Sequence, residues 1–229
     1  MSVSGRADAD SQQTAGLRLR DVVLGLGFTC TSGAAIVAHT FLGLPMAFTV
    51  PFVVLPTSAM VVGAILFHRK LYGRLRSFST LLIVGGVLGL AATLVYDAVR
   101  PVLIWAMQVP YEPFRAIRIF GMLMTGRPEF DSVTLAAGWT YHFWNGISFG
   151  MMFALMRPRG GALAGLAWGM GLQLMMMAMY PTLLKIRLDN PGFLASGIVG
   201  HSLWGLVLGE SVRRWGPLAS RPALSQGGR

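Results

Sequence analysis

The chain has 229 residues, of which 54% are hydrophobic and only 12% charged, and its mean hydropathy is +0.59. Water-soluble domains carry roughly 45–50% apolar and about 25% charged residues, so this composition excludes an ordinary soluble fold. The formal charge of +10 does not point to nucleic acid, because the Lys and Arg residues stand at the ends of apolar segments rather than on one solvated face. A single cysteine, Cys30, excludes a disulfide framework and any CxxC redox or metal motif.

In chain order, residues 1–20 are polar and aperiodic and are expected to form a disordered cytoplasmic tail. The first apolar run, about 21–43, is longer than the 7–15 residues of a secretory h-region, so it reads as a retained helix. Further membrane helices are expected at about 47–68, 78–99, 133–156, 161–181 and 193–212, each bounded by Pro, Gly or charge. Residues 216–229 read as a second cytoplasmic tail. The predicted fold is therefore an all-α polytopic membrane helix bundle with about six crossings over residues 21–215, placed in the cell inner membrane.

Orientation follows from the cytoplasmic bias of Lys and Arg. With both termini inside, thirteen of the nineteen basic residues fall inside, among them Arg69, Lys70, Arg157, Arg159, Arg213 and Arg214. A seventh crossing over 101–124 would bury Glu112, Arg115 and Arg118 and would turn the last two basic pairs outward. Residues 101–131, with Pro110 and Pro113, are instead expected to lie on the outer face around an amphipathic helix, as a packing cap or a lid.

Two stretches resemble each other. Gly85–Pro101 and Gly161–Pro181 each pair small residues at four-residue spacing with an outer Tyr and Pro. Each is followed by a helix bearing His-x-x-x-Gly-x-x-x-Gly, namely His142-Gly146-Gly150 and His201-Gly205-Gly209. A two-helix duplication accounts for this, as does chance recurrence of glycine spacing in membrane helices.

His39 also heads a His-x-x-x-Gly unit, with Gly43. Small residues at this spacing draw helix backbones together, so His39, His142 and His201 are each expected to face the bundle, in one layer of its outer half. Tyr96, Asp97, Tyr141, Asn145 and Tyr180 fall near that layer. A charge in mid-membrane costs at least about 2.5–3.5 kcal/mol, so such groups usually face a partner, a cavity or a ligand. The plainer roles are helix-to-helix hydrogen bonds for the histidines, an Asp97–Arg100 pair, a Glu210 pair with Arg213 and Arg214, and an interfacial His68. Met175, Met176, Met177 and Met179 point all round one helix and read as adaptable packing rather than a copper site.

The segments GHSLWGLVLGE (Gly200–Glu210) and YHFWNGISFG (Tyr141–Gly150) resemble the His-containing glycine helices of small multi-pass bacterial inner-membrane proteins of the YagU kind. The resemblance covers about a fifth of the chain and implies no activity.

Four functions fit these residues. The first is a metal or haem site with His39, His142 and His201 as ligands and Asp97, Tyr141 or Asn145 behind them. The second is a small proton-coupled permease using Asp97 and the histidines. In that reading the inner half offers few polar residues besides Thr57, Ser58 and Gln173 to continue a path. The third is an intramembrane enzyme for a lipid-soluble substrate, with His142 or His201 as general base. The fourth is a polar layer that only sets helix packing. The expected partners are the lipid bilayer and a small-molecule or ion ligand.

Overall fold

The computed structural model describes residues 19–71 and 76–216, and among these the chain is helical with no strand. The tails expected at 1–20 and 216–229 lie, apart from Leu19, Arg20 and Gly216, outside the described residues, as do the side chains of His68, Arg69 and Lys70. Among the described residues four helical stretches are long and apolar enough to cross a membrane: Met46–Phe67, Phe78–Met107, Ala162–Leu184 and Pro191–Trp215. A bent pair, Val22–Thr29 with Thr31–Leu42, qualifies as a fifth if it is one span. These are the segments of a membrane protein.

The first predicted helix is in fact two, α1 (Leu19–Thr29) and α2 (Thr31–Leu42), meeting at Cys30 with a bend of 53°. Threonine hydroxyls on both sides of the break bond back to the helix, Thr29 Oγ1 to Gly25 O at 2.8 Å and Thr31 Oγ1 to Phe28 O at 3.0 Å, which loosens the backbone ladder. The second predicted helix is α3 (Met46–Thr49), a π-helical turn (Val50–Val54) and α4 (Leu55–Leu71). Pro51 lies in that wide turn and Pro56 just after it. A proline has no N–H to donate, and its ring crowds the carbonyl four residues back, so a widened turn relieves the clash.

Helix α5 (Arg76–Met107) continues well past its expected end, straight through Pro101. Inside lipid the chain gains more from keeping its other helical bonds than it loses at the one carbonyl, that of Asp97, which Pro101 cannot serve. Helix α6 (Arg115–Thr125) is the amphipathic segment expected between 101 and 131. It buries Ile117, Phe120 and Gly121 and leaves Arg115 and Arg118 exposed, the latter 2.8 Å from Glu112.

Helix α7 (Ser132–Met156), α8 (Ala162–Leu184) and α9 (Pro191–Trp215) complete the bundle. The 25 residues of α7 span about 37 Å at 1.5 Å each, long enough to cross, but it is not among the helices that qualify on length and hydropathy. The cause is its middle, where Tyr141, His142 and Asn145 replace aliphatic residues. Those groups face protein rather than lipid, since α7 packs against α5, α6 and α1.

Asp131 caps α7: its carboxylate accepts from Thr134 N at 2.8 Å while Asp131 N donates to Thr134 Oγ1 at 2.9 Å. The Thr134 backbone N–H holds the Asp131 carboxyl below its ordinary range, with Arg127 adding to the effect. A depressed carboxylate stabilises the fold above its unfolded value of roughly 3.9 and loses that contribution as pH falls through the lower folded value. Asp131→Ala is therefore expected to lower the unfolding temperature at pH 7, with the gap to wild type closing in a melt series taken below pH 4.

Among the described residues three helix pairs approach backbone to backbone: α6 and α7 at Gly121 and Gly138, α5 and α7, and α8 and α9. A Cβ on Gly85 would meet Gly150 O at 2.7 Å, and one on Gly89 would strike Gly146 O. In α8 and α9 the same register recurs, Gly161 and Gly165 lying against Gly209 and Gly205. At Gly85, Gly89, Gly165, Gly205 and Gly209 glycine is required because nothing larger than hydrogen fits between the chains. Aligned on these glycines, Asp97 of α5 corresponds to Gln173 of α8, and His142 of α7 to His201 of α9.

Candidate functional site

Above the glycine contacts, toward the end of the bundle covered by α6, the helices diverge around a polar layer. Thr93, Tyr96, Asp97 and Arg100 fall on one face of α5 by three- and four-residue spacing. Asp97 is 9% and Arg100 6% exposed, so both charges are withdrawn from the surface. They meet directly, Arg100 Nη2 donating to Asp97 Oδ1 at 2.5 Å. The same carboxylate receives His142 Nε2 from α7, 3.0 Å from Oδ1 and 2.9 Å from Oδ2. A carboxylate accepts, so Nε2 carries the proton, and in the neutral ring Nδ1 is the free nitrogen.

Arg100 also reaches the covering segment. Its Nη1 donates to Pro113 O at 2.6 Å, and its guanidinium lies 4.2 Å from the centre of the Tyr96 ring and 4.8 Å from that of Phe114. The connection between α5 and α6 is thereby tied to the polar layer. The Tyr96 ring lies edge-on to His201 at 4.8 Å between centroids and 6.3 Å from His142. His201 is 5% exposed, and its Nδ1 lies 2.9 Å from Gly197 O. A carbonyl only accepts, so Nδ1 carries the proton and Nε2 is the free nitrogen of the neutral ring.

These groups surround a cavity of about 90 Å³. Its walls come from α5 (Tyr96, Arg100), α7 (His142, Asn145), α8 (Gln173 and three methionines) and α9 (Ser196, His201), and it is covered by Tyr111, Pro113 and Phe120. Asp97 is not part of the wall; it stands behind His142 and Arg100 and holds both. On the side toward the glycine contacts the cavity ends at Trp204, whose Nε1 donates to Thr93 Oγ1 at 3.0 Å.

Of the residues singled out from sequence, His142, His201 and Asn145 line the cavity and Asp97 stands directly behind it. His39 and Tyr141 do not join them. His39 sits at the C-terminal end of α2 with Nδ1 3.0 Å from Leu44 O. Its glycine, Gly43, has φ 69° with open space where a Cβ would be, so it terminates the helix and packs against nothing. The spacing argument fails there because a C-cap glycine and a packing glycine look alike in sequence. Tyr141 is buried and donates to Ser32 O at 2.5 Å, tying α7 to α2.

Among the described residues no group of three or more His, Cys, Asp or Glu is gathered closely enough to hold a metal ion. A centre made of the three histidines is therefore not assembled.

Sequence reasoning underrated Arg100, expected only as an interfacial partner of Asp97, and missed Tyr111 and Ser196. It set Gln173 in the inner half, whereas this side chain is 1% exposed and lines the cavity. The glycine register was the available signal, since it makes Gln173 the counterpart of Asp97. Three of the four clustered methionines, Met175, Met176 and Met179, face the cavity, while Met177 packs with Leu184 and Phe193.

No family model matches the chain, and no curated protein or solved structure matches it.

Proposed function

We propose that this protein is a six-crossing membrane protein whose cavity binds a small, mainly apolar molecule and exchanges a proton with it through His142. The observation that carries this reading is the two-oxygen contact of Asp97 with His142 Nε2 behind a cavity wall that is otherwise largely aromatic and thioether. A carboxylate behind an imidazole orients the ring, selects its tautomer and stabilises the imidazolium formed when the other nitrogen takes a proton. This is the arrangement of an intramembrane general base, and it agrees with an enzyme or binding protein acting on a lipid-soluble compound. Continuous transport through the bundle has less support: beyond Trp204, α5 meets α7 and α8 meets α9 on glycine among the described residues.

The six crossings are the four apolar helices, the bent α1–α2 pair and α7. In this reading the termini are cytoplasmic, Arg157, Arg159, Arg213 and Arg214 lie at the inner ends, and α6 rests on the outer surface. The matching glycine registers of α5–α7 and α8–α9 support an origin by duplication. In intact cells a membrane-impermeant maleimide is expected to label Pro128→Cys, and to reach Arg159→Cys only after permeabilisation, both in a Cys30→Ser background. The reverse pattern would invert the topology.

The binding reading is tested by native mass spectrometry of the protein released from nanodiscs. Wild type is expected to retain a small molecule distinct from bulk phospholipid, and His142→Gln to lose at least nine-tenths of it without a large change in unfolding temperature. Equal retention by wild type and variant, or no such molecule on wild type, would sink the proposal.

A further inference from the structure

The polar groups around the cavity restrict what kind of head group it accepts. Among the described residues Arg100 is the only charged side chain in the wall, and the nearby Asp97 carboxylate stands behind it, already held by Arg100 and His142, so a cationic ligand finds no free counter-charge. A carboxylate or phosphate ligand is opposed for a different reason. Arg100 is already paired with Asp97, and His201, whose Nδ1 is held by the Gly197 carbonyl, presents an acceptor nitrogen, which repels an anion's oxygens. What this ring lacks is a donor.

The remaining polar groups need the complementary partner. Gln173 is 1% exposed, and its Nε2 finds no hydrogen-bond partner among the described residues. Its amide lies flat against Gly197, so close that a Cβ there would fall 2.5 Å from Nε2. Gly197 also supplies the carbonyl that orients His201. A buried amide donor and an oriented imidazole acceptor thus both line the cavity and both touch one glycine. Leaving a buried polar atom unpaired costs stability, which a ligand that pairs it returns as affinity.

A hydroxyl answers both needs, because it donates one bond and accepts others. The walls around it, Tyr96, Phe120, Tyr180 and Phe193, suit a flat ring. Met175, Met176 and Met179 are the side chains best able to adjust to its size.

Resting on the cavity reading above, we infer that the ligand is a neutral, lipid-soluble molecule of the phenol class. Its hydroxyl donates to His201 Nε2 and accepts from the Gln173 amide, and its ring lies among the aromatic and methionine side chains.

The test compares 4-propylphenol with its methyl ether, 4-propylanisole, which has nearly the same shape but no O–H. Saturable binding of each radiolabelled probe is measured on the full chain in nanodiscs, with empty nanodiscs subtracted. The phenol is expected to bind at least tenfold more tightly than the ether. His201→Phe should bring that ratio close to one, whereas Gln173→Leu, which removes a donor that the oxygen of either probe accepts from, should weaken both probes, and the unfolding temperatures of the two variants report on folding separately.

Equal binding of the two probes to wild type overturns the hydroxyl assignment but leaves the cavity as a binding site. Absence of saturable binding by either probe removes the phenol class. The cavity reading then stands or falls on whether His142→Gln loses the co-purified molecule.

Discussion

Asp97→Ala is expected to destabilise the protein by about 3–5 kcal/mol, because it leaves the Arg100 guanidinium buried without its counter-charge. The surroundings offer little relief: Nε of Arg100 has no partner among the described residues, and the Pro113 carbonyl and the two flanking rings supply only partial charge. The double variant Asp97→Ala/Arg100→Leu removes both charges and should recover most of the loss, since a buried pair replaced by apolar groups is often close to neutral. Unfolding in mixed micelles measures both. If the single variant is no less stable than the double one, the pair is not an electrostatic unit and Arg100 has another source of compensation.

A comparable loss is expected where α8 and α9 touch. The same substitution should have opposite signs at two glycines on that pair. At Gly205 an added Cβ would strike the Gly165 carbonyl oxygen and lie 2.8 Å from its carbon; these are backbone atoms that cannot turn aside. Gly205→Ala must push the helices apart, at about 1–3 kcal/mol for overpacking. Gly171 has nothing within 4 Å of its Cβ position, so Gly171→Ala should only exchange a poor helix former for a good one, a gain of up to about 1 kcal/mol. Thermal unfolding of the two variants in the same detergent decides it. Equal effects would mean that the close approach is not what holds the pair together. The loss at Gly205 should also carry to the cavity, because His201 stands one turn away on α9.

The class of fold was legible in the residues because lipid imposes a simple rule, that a crossing segment must be apolar and about 20 residues long. Five of the six expected segments coincide with helices or with the bent pair that meet that rule. The sixth expected segment forms the helix α7 although its middle is polar, and that middle packs against α5, α6 and α1. Boundaries failed at prolines, where local propensity predicts a stop: α5 and α8 run through Pro101 and Pro181 because bonds lost in hydrocarbon are costly.

The amino-acid sequence was sufficient for the membrane character, the helical content and the glycine seams, all of which depend on composition and one-dimensional spacing. It could not say which helices are neighbours. That choice brings Asp97 of α5 against His142 of α7, carries Gln173 into the cavity wall and leaves His39 outside it. Contact between residues 45 or 111 positions apart, as in Asp97–His142 and Thr93–Trp204, comes from how whole helices pack, and no local pattern encodes it.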